Sequence, residues 1–298
     1  MTPNRLTRLE VADALLVEAL RKLDALQREP EWIQQLPLRC PPVLWFGNSR
    51  ASKPLVLTVG ANPSRREFLT KRGEANGDQS QLQYLEPPRN RFRLLSTSET
   101  LDDFLARREF RQEVLESYDC YFSVQPYTGW FGRDGEGSYR VEGFLQGFGA
   151  SYYDTDISPR QAVHVDLFPF ATLADFQAIR AMVDSALFAN GWAPSLLQRL
   201  VKYLLPAAIV VFGRTNCGWF KALVDPSVSR LPWRSSKEGP AQYFVGLSEV
   251  FDIPVVGLST NLGNPKGFKA LTLRAFGEEV RRSSEQIGAA CATGDASS

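Results

Sequence analysis

The sequence predicts an α/β protein with three layers, α/β/α, around a central and mostly parallel sheet. Four runs of apolar, largely β-branched residues are typical of strands buried on both faces. They are residues 55–59, 162–167, 208–212 and 255–258. Segments with helical periodicity lie between these runs, and alternating strands and helices predict a doubly wound sheet.

The other elements follow from the same periodicity. Apolar residues recur at helical spacing in residues 6–28, 101–118, 173–190, 193–205, 215–223 and 266–282. Val43–Phe46 is a further predicted strand, and the Gly-rich, aromatic residues 127–149 predict a loop.

These elements predict one large domain with additions at its ends. Residues 1–35 form an N-terminal helical extension, and residues 36–282 form the α/β domain. Residues from about 69 to 153 are an insertion in that domain, and a segment of this size usually shapes a substrate site. Residues 283–298 are mainly small or polar and predict a disordered tail.

The composition limits the possible partners and cofactors. The net charge of +1 neither requires nor excludes nucleic acid, because a phosphate-binding face needs only a local cluster of basic residues. The four cysteines are far apart and show no paired spacing, so neither a zinc site nor an iron–sulfur cluster is indicated. No metal and no cofactor are expected. Without a secretory signal or a long apolar run, the chain is expected to be cytoplasmic, with no membrane partner.

Three loops carry the residues that point to a function. The first is Gly60-Ala61-Asn62-Pro63-Ser64, the second follows His164-Val165-Asp166, and the third is Ser259-Thr260-Asn261-Leu262-Gly263-Asn264-Pro265-Lys266. In this order they resemble the active-site motifs of the uracil-DNA glycosylase superfamily, over roughly residues 50 to 280. The resemblance implies the fold of that family and an enzyme that hydrolyses the N-glycosidic bond of a flipped-out base, leaving an abasic site.

The resemblance implies that Asn62 orients the water that attacks the glycosidic bond. Gly60 and Ala61, in the same loop, are expected to line the base pocket. Family members carry either a water-orienting Asn or an Asp at this position. An amide is not a strong base, so Asn62 is expected to position the water and to stabilise charge. The alternative is an Asn-Pro turn that only ends a strand.

The resemblance also implies that Asp166 recognises the base by hydrogen bonds. Members specific for uracil carry an Asn at this position. A carboxyl group pairs with cytosine through the N4 amino group and N3, and it cannot donate to O4 of uracil unless it is protonated. Ser64 replaces a bulky Tyr that closes the space beside C5 in uracil-specific members. Together they predict a 5-substituted cytosine; the alternative is that Asp166 is a loop or cap residue.

Aromatic residues and one histidine complete the predicted base site. The aromatic residues are candidates for stacking on the base or for a sugar platform, or else they pack in the core. They are Tyr127, Trp130, Phe131, Tyr152 and Tyr153. His164 lies on the same strand face as Asp166 and is expected to contact the base or DNA, or to be a structural residue.

The third loop departs from the family, whose His-Pro-Ser is replaced by Ser259-Thr260-Asn261. Asn261 or Thr260 is therefore expected to donate to O2 of the base as negative charge builds there. Leu262 is the predicted wedge that fills the space of the flipped nucleotide. Further DNA contacts are expected from Asn264, Lys266, Lys269 and Arg91.

The function predicted from these residues is a monofunctional DNA glycosylase for hydroxymethylated or glucosylated cytosine. Such bases occur in some phage genomes, so antiviral defence is the implied role. Three alternatives stay open: a repair glycosylase for uracil or damaged bases, a DNA-binding module without activity, and a nucleosidase for free nucleosides.

Overall fold

The computed structural model describes residues 7–70, 82–86, 89–124, 129–135, 138–154, 156 and 158–292. In these residues the predicted α/β class is confirmed, with a mostly parallel central sheet flanked by helices. The strands are β1 (Leu55–Gly60), β2 (Ala150–Ser151), β3 (Arg160–Asp166), β4 (Ala208–Phe212), β5 (Arg234–Ser235), β6 (Gln242–Leu247) and β7 (Pro254–Leu258). The α-helices are α1 (Arg8–Gln27), α2 (Pro30–Ile33), α3 (Leu101–Ala106), α4 (Arg108–Asp119), α5 (Arg140–Phe148), α6 (Arg180–Val183), α7 (Trp192–Leu204), α8 (Arg214–Trp219) and α9 (Ala270–Ala292).

The chain divides into two compact units, whereas the sequence predicted a single domain. The helical unit comprises residues 1–46, 61–124 and 166–203, and the sheet unit comprises residues 47–60, 125–165 and 204–298. The predicted N-terminal extension is part of the helical unit. The predicted insertion is shared, since its residues up to 124 belong to the helical unit and the rest to the sheet unit.

In the helical unit, α1 packs against α3 and α4. Thr7 begins α1 with a capping box, in which its hydroxyl accepts from the Glu10 N–H and the Glu10 carboxylate accepts from the Thr7 N–H. The apolar face of α1 is buried, as its periodicity predicted. Arg111 of α4 donates to both carboxylate oxygens of Asp13, at 2.7 and 3.0 Å, which fixes α4 on α1.

In the sheet unit the strand order is β2-β3-β1-β4-β7-β6-β5. β1 pairs with β4, and β4 with β7, in parallel. β6 is antiparallel to β7, and β5 is antiparallel to β6 at the edge of the sheet. The side chains of β1 and β4 are all buried, which explains their largely apolar sequences, in which Thr58 is the polar residue. The carboxyl ends of β1, β4 and β7 therefore lie at one edge of the sheet, where open α/β sheets bind their ligands.

Helices α5 and α9 pack closely together and α9 also contacts β6 and β7. A Cβ atom at Gly147 would lie 1.9 Å from the Arg274 carbonyl oxygen, and one at Gly277 would lie 2.1 Å from that of Phe144. Only glycine permits the two backbones to approach so closely at these positions. α5 was missed by the sequence analysis, which predicted a loop over residues 127–149.

Other boundaries also differ from those predicted. α9 continues to Ala292, so the predicted disordered tail is wrong for residues 283–292, and residues 293–298 lie outside the described part. Val43–Phe46 is not a strand, although the Val43 N–H donates to the Pro169 carbonyl. Over 173–190, α6 and a π-helical segment (Asp184–Phe188) replace one long helix. No helix of the described residues is long and apolar enough to span a membrane.

Candidate active site

The loop after β1 fixes the orientation of Asn62 in the helical unit. The side-chain N–H groups of Asn62 donate to the Pro63 carbonyl and to the Thr172 hydroxyl, both at 3.2 Å. Thr172 in turn donates its only hydroxyl proton to the Ala174 carbonyl, at 2.9 Å, so its oxygen must accept from Asn62. The Nδ2 atom therefore faces Thr172, and the Oδ1 atom is left to accept a hydrogen bond from a ligand.

The same loop is held at two further points by the segment that follows β3. The Phe168 N–H donates to the Ala61 carbonyl at 2.9 Å. The Arg65 guanidinium donates to the Leu173 carbonyl. Thr172, which is 3% exposed, thus belongs to a segment that contacts the first motif repeatedly. Because the position of Asn62 depends on this segment, Thr172 is a site residue that the sequence analysis missed.

Ser64 begins the short 3-10 turn that ends the first motif. Its hydroxyl accepts from the Arg66 N–H at 3.3 Å, and its side chain is exposed. The side chain is therefore an N-cap, which explains a serine at this position without reference to a base.

Asp166 is the last residue of β3 and is 6% exposed. The structure therefore places the carboxyl group at a strand end, as the sequence predicted. A carboxyl group that is shielded from water in this way requires hydrogen-bonding partners in either protonation state.

In the sheet unit, hydrogen bonds fix the amide orientation of Asn261, and here it is the oxygen that faces the protein, whereas in Asn62 it is the nitrogen. The Oδ1 atom of Asn261 accepts from the Trp130 indole N–H at 3.1 Å and from the Gly263 N–H at 3.0 Å. Both partners are donors only, so the amide oxygen must face them. The exposed side chain of Asn261 is therefore left with its Nδ2 atom, a donor, for a ligand.

Gly263 allows Trp130 to reach Asn261. A Cβ atom at position 263 would lie 1.7 Å from the indole nitrogen of Trp130, a distance that no side chain can tolerate. The Trp130 ring also lies 4.8 Å from the Phe131 ring, measured between centroids. Trp130 is half-buried and holds the third motif, in addition to any role as a stacking platform.

His164, the chain's only histidine, lies in a buried cluster of the sheet unit. Its Nδ1 atom is 2.9 Å from the Thr58 hydroxyl, which is 2.6 Å from the Tyr152 hydroxyl. The Trp130 and Phe131 rings lie 5.2 and 5.0 Å from the imidazole. With 3% of their surface exposed, His164 and Phe131 fit the structural interpretation better than the predicted base contact. Tyr127 lies outside the described residues.

A buried carboxyl group supports this aromatic loop and was also missed. Glu142 of α5 accepts from the Ser151 hydroxyl at 2.7 Å and from the Tyr152 N–H at 3.1 Å, and its own N–H donates to the Phe131 carbonyl at 2.7 Å. Burial disfavours the charged form and raises the pKa of Glu142 to about 7. Glu142 therefore connects the loop, through its backbone N–H, to Ser151 and Tyr152, through its carboxyl group.

Of the residues predicted to contact DNA, some are buried or bound within the protein and others are exposed. Leu262 is 0% exposed, so the predicted wedge is wrong: the side chain fills the core beneath its loop and does not project from it. Arg91 donates to the Tyr121 carbonyl at 3.0 Å and lies over the Tyr121 ring, so its predicted DNA contact is not supported. Thr260 is half-buried. The exposed side chains are those of Asn264, Lys266 and Lys269.

Among the described residues, no three His, Cys, Asp or Glu side chains are grouped in a way that could hold a metal ion. Comparisons with protein-family models, with curated proteins and with solved structures found no match to this chain. The chemistry of the site therefore rests on the hydrogen bonds described above.

Proposed function

We propose that this protein is a DNA glycosylase that hydrolyses the N-glycosidic bond of a flipped-out, modified base and leaves an abasic site. Hydrolysis needs a water held against the anomeric carbon and a donor that stabilises negative charge on the departing base. The observation that carries the proposal is the fixed orientation of two amides. Asn62 offers an oxygen, which suits a water, and Asn261 offers an N–H, which suits the O2 atom of a base.

The proposed base is a 5-substituted cytosine, hydroxymethylated or glucosylated. Asp166 carries this assignment, because a carboxyl group matches the N4 amino group and N3 of cytosine. Pairing with cytosine protonated at N3 also makes the base a better leaving group. Such an enzyme would act on modified phage DNA in the cytoplasm, as a defence.

The test is abasic-site formation on matched duplexes that carry cytosine, uracil, 5-hydroxymethylcytosine or glucosylated hydroxymethylcytosine. The expected result is strand cleavage by alkali only after incubation with a modified cytosine, and its loss in Asn62→Ala. Gln286→Ala is the matched control, since Gln286 is exposed on α9 and lies well beyond the third motif in sequence. Asp166→Asn is expected to shift the preference from cytosine toward uracil.

Each alternative outcome has a definite meaning. Cleavage at uracil by the wild type would replace the cytosine assignment with a repair glycosylase. No cleavage of any duplex, together with DNA binding that persists in Asn62→Ala, would replace the enzyme with a DNA-binding module. Cleavage of free nucleosides alone would make it a nucleosidase.

A further inference from the structure

A polar pocket of about 380 Å³ lies at the carboxyl edge of the sheet, within the sheet unit. Arg214 follows β4 by two residues, and Ser259 directly follows β7, which is the parallel neighbour of β4. The antiparallel strands β5 and β6 supply Ser235 and Gln242, which are paired in the β5–β6 register. The remaining lining residues are Gly239, Pro240 and Ala241.

The pocket is lined by one positive charge and by no carboxylate. Arg214 is exposed, donates to the Gln242 side-chain oxygen, and lies over the Trp233 ring at 4.8 Å. Among the described residues, Arg214 has no carboxylate partner, and no Asp or Glu lines the pocket. A guanidinium held by a neutral amide and an aromatic face keeps its charge and most of its five N–H donors for a ligand.

Two hydroxyl groups add donors beside this guanidinium. The Ser259 oxygen accepts from the Gln242 N–H at 2.8 Å, which leaves its proton for another acceptor. Ser235 is exposed and makes no side-chain hydrogen bond within the described residues. Donors from one Arg and two Ser side chains, without a carboxylate, match the oxygens of a phosphate group.

The pocket is packed against the region that follows the third motif. A Cβ atom at Gly239 would lie 2.3 Å from the Phe268 ring, and one at Gly267 would lie 3.0 Å from the Pro240 ring. Ser259 is itself the first residue of the loop that carries Asn261. A phosphate in this pocket is therefore bound next to a loop for which the proposed function requires DNA.

We propose that the Arg214 pocket binds a phosphate group of the DNA backbone. The identity of the ligand as DNA rests on the proposed function, whereas its phosphate chemistry rests on the lining residues alone. The pocket then positions the strand by its backbone and carries no information about the base sequence. Its contribution to binding is electrostatic, so it depends on the salt concentration.

The experiment measures the affinity for an unmodified duplex by fluorescence anisotropy over a range of salt concentrations, so that no cleavage is required. Each phosphate contact makes the slope of log K against log salt steeper by about 1, so the loss of one contact reduces the magnitude of the slope by about 1. Arg214→Ala is expected to show this loss. Arg214→Lys is expected to keep the slope and bind more weakly, because a lysine keeps the charge and loses the planar fork. Arg282→Ala, which removes an equally exposed charge from α9, is the control with an unchanged slope.

A second arm titrates the wild type and Arg214→Ala with inorganic phosphate by calorimetry. Phosphate binding that depends on Arg214, with an unchanged salt slope for DNA, would overturn DNA as the ligand and leave a site for a free phosphate. An unchanged slope without any phosphate binding would overturn the pocket altogether. Ser235→Ala gives a second variant, expected to weaken DNA binding without loss of folding, since Ser235 is exposed and supports no other group.

The failure of this proposal is distinguishable from the failure of the proposed function. Abasic-site formation by the wild type with an Arg214→Ala slope equal to that of the wild type would refute the pocket alone. A slope reduced in Arg214→Ala, with no abasic product from any duplex, would support the pocket and refute the glycosylase.

Discussion

Thr172→Val tests whether the orientation of Asn62 matters for catalysis. Valine has nearly the same shape as threonine but cannot accept the hydrogen bond from Asn62, which measures 3.2 Å in the wild type. Without that acceptor, the Asn62 side chain retains only the Pro63 carbonyl as a partner and is free to turn its amide over. The amide oxygen would then no longer be held in the position proposed for the water.

The size of the effect follows from the bond that is lost. One hydrogen bond is worth about 1 kcal/mol, which corresponds to roughly a fivefold change in rate if it only sets the amide orientation. A reacting group displaced by about 1 Å costs up to roughly a hundredfold. We therefore expect Thr172→Val to slow the single-turnover formation of abasic sites by about 5- to 100-fold. The affinity for substrate DNA should not change.

Thr172→Ser is the matched control, because it keeps the hydroxyl group and is expected to restore most of the rate. Asn62→Ala should also remove the effect, so that the double variant with Thr172→Val is no slower than Asn62→Ala alone. Wild-type rates in a folded Thr172→Val, as judged by thermal unfolding, would refute the reasoning. Equal losses in the Val and Ser variants would assign Thr172 a packing role only.

Two further predictions concern the aromatic loop. Because burial raises the pKa of Glu142 to about 7, folding favours the protonated form, and the stability this contributes is lost as the pH rises through that value. Between about pH 5.5 and about pH 8.5 the free energy of unfolding, measured with urea, should fall by about 2 kcal/mol. Glu142→Gln should abolish this fall, and a wild-type pH dependence in the variant would contradict the assignment. Trp130→Phe removes the indole N–H that holds Asn261, together with part of the ring that packs on Phe131 and His164. The variant should slow abasic-site formation by about fivefold or more at unchanged DNA affinity, since one hydrogen bond is worth about 1 kcal/mol. A rate equal to the wild type would show that Gly263 alone is sufficient to orient Asn261.

The strands that position the site were predictable because their sequences determine them locally. β1, β4 and β7 are largely apolar runs, and such runs are stable only where both faces of a sheet are covered. α5 was not predictable in the same way. Its glycines disfavour a helix in isolation, and what stabilises them is close contact with α9, which is more than a hundred residues away in the sequence.

The candidate site shows the same limit. Asn62, Asp166 and Asn261 were found because each follows or ends a predicted strand within a recognisable motif. Thr172 has no motif of its own, and its role depends on a contact across 110 residues of sequence. The error at Leu262 has a related cause: an apolar residue in a polar loop suggested a protruding wedge, but the loop folds that side chain into the core.

A side-chain amide is both a donor and an acceptor, so a motif alone does not reveal which chemistry an Asn supplies. The neighbours decide: an acceptor at Thr172 turns the oxygen of Asn62 outward, and a donor at Trp130 turns the nitrogen of Asn261 outward. His164, the only imidazole of the chain, is buried against Thr58 and is not part of the third motif. Under the proposed function, charge on the departing base is therefore left to the amide donor of Asn261 and to the carboxyl group of Asp166. An amide donor together with a carboxyl group suits a base such as cytosine, which departs with a proton more readily than with a negative charge.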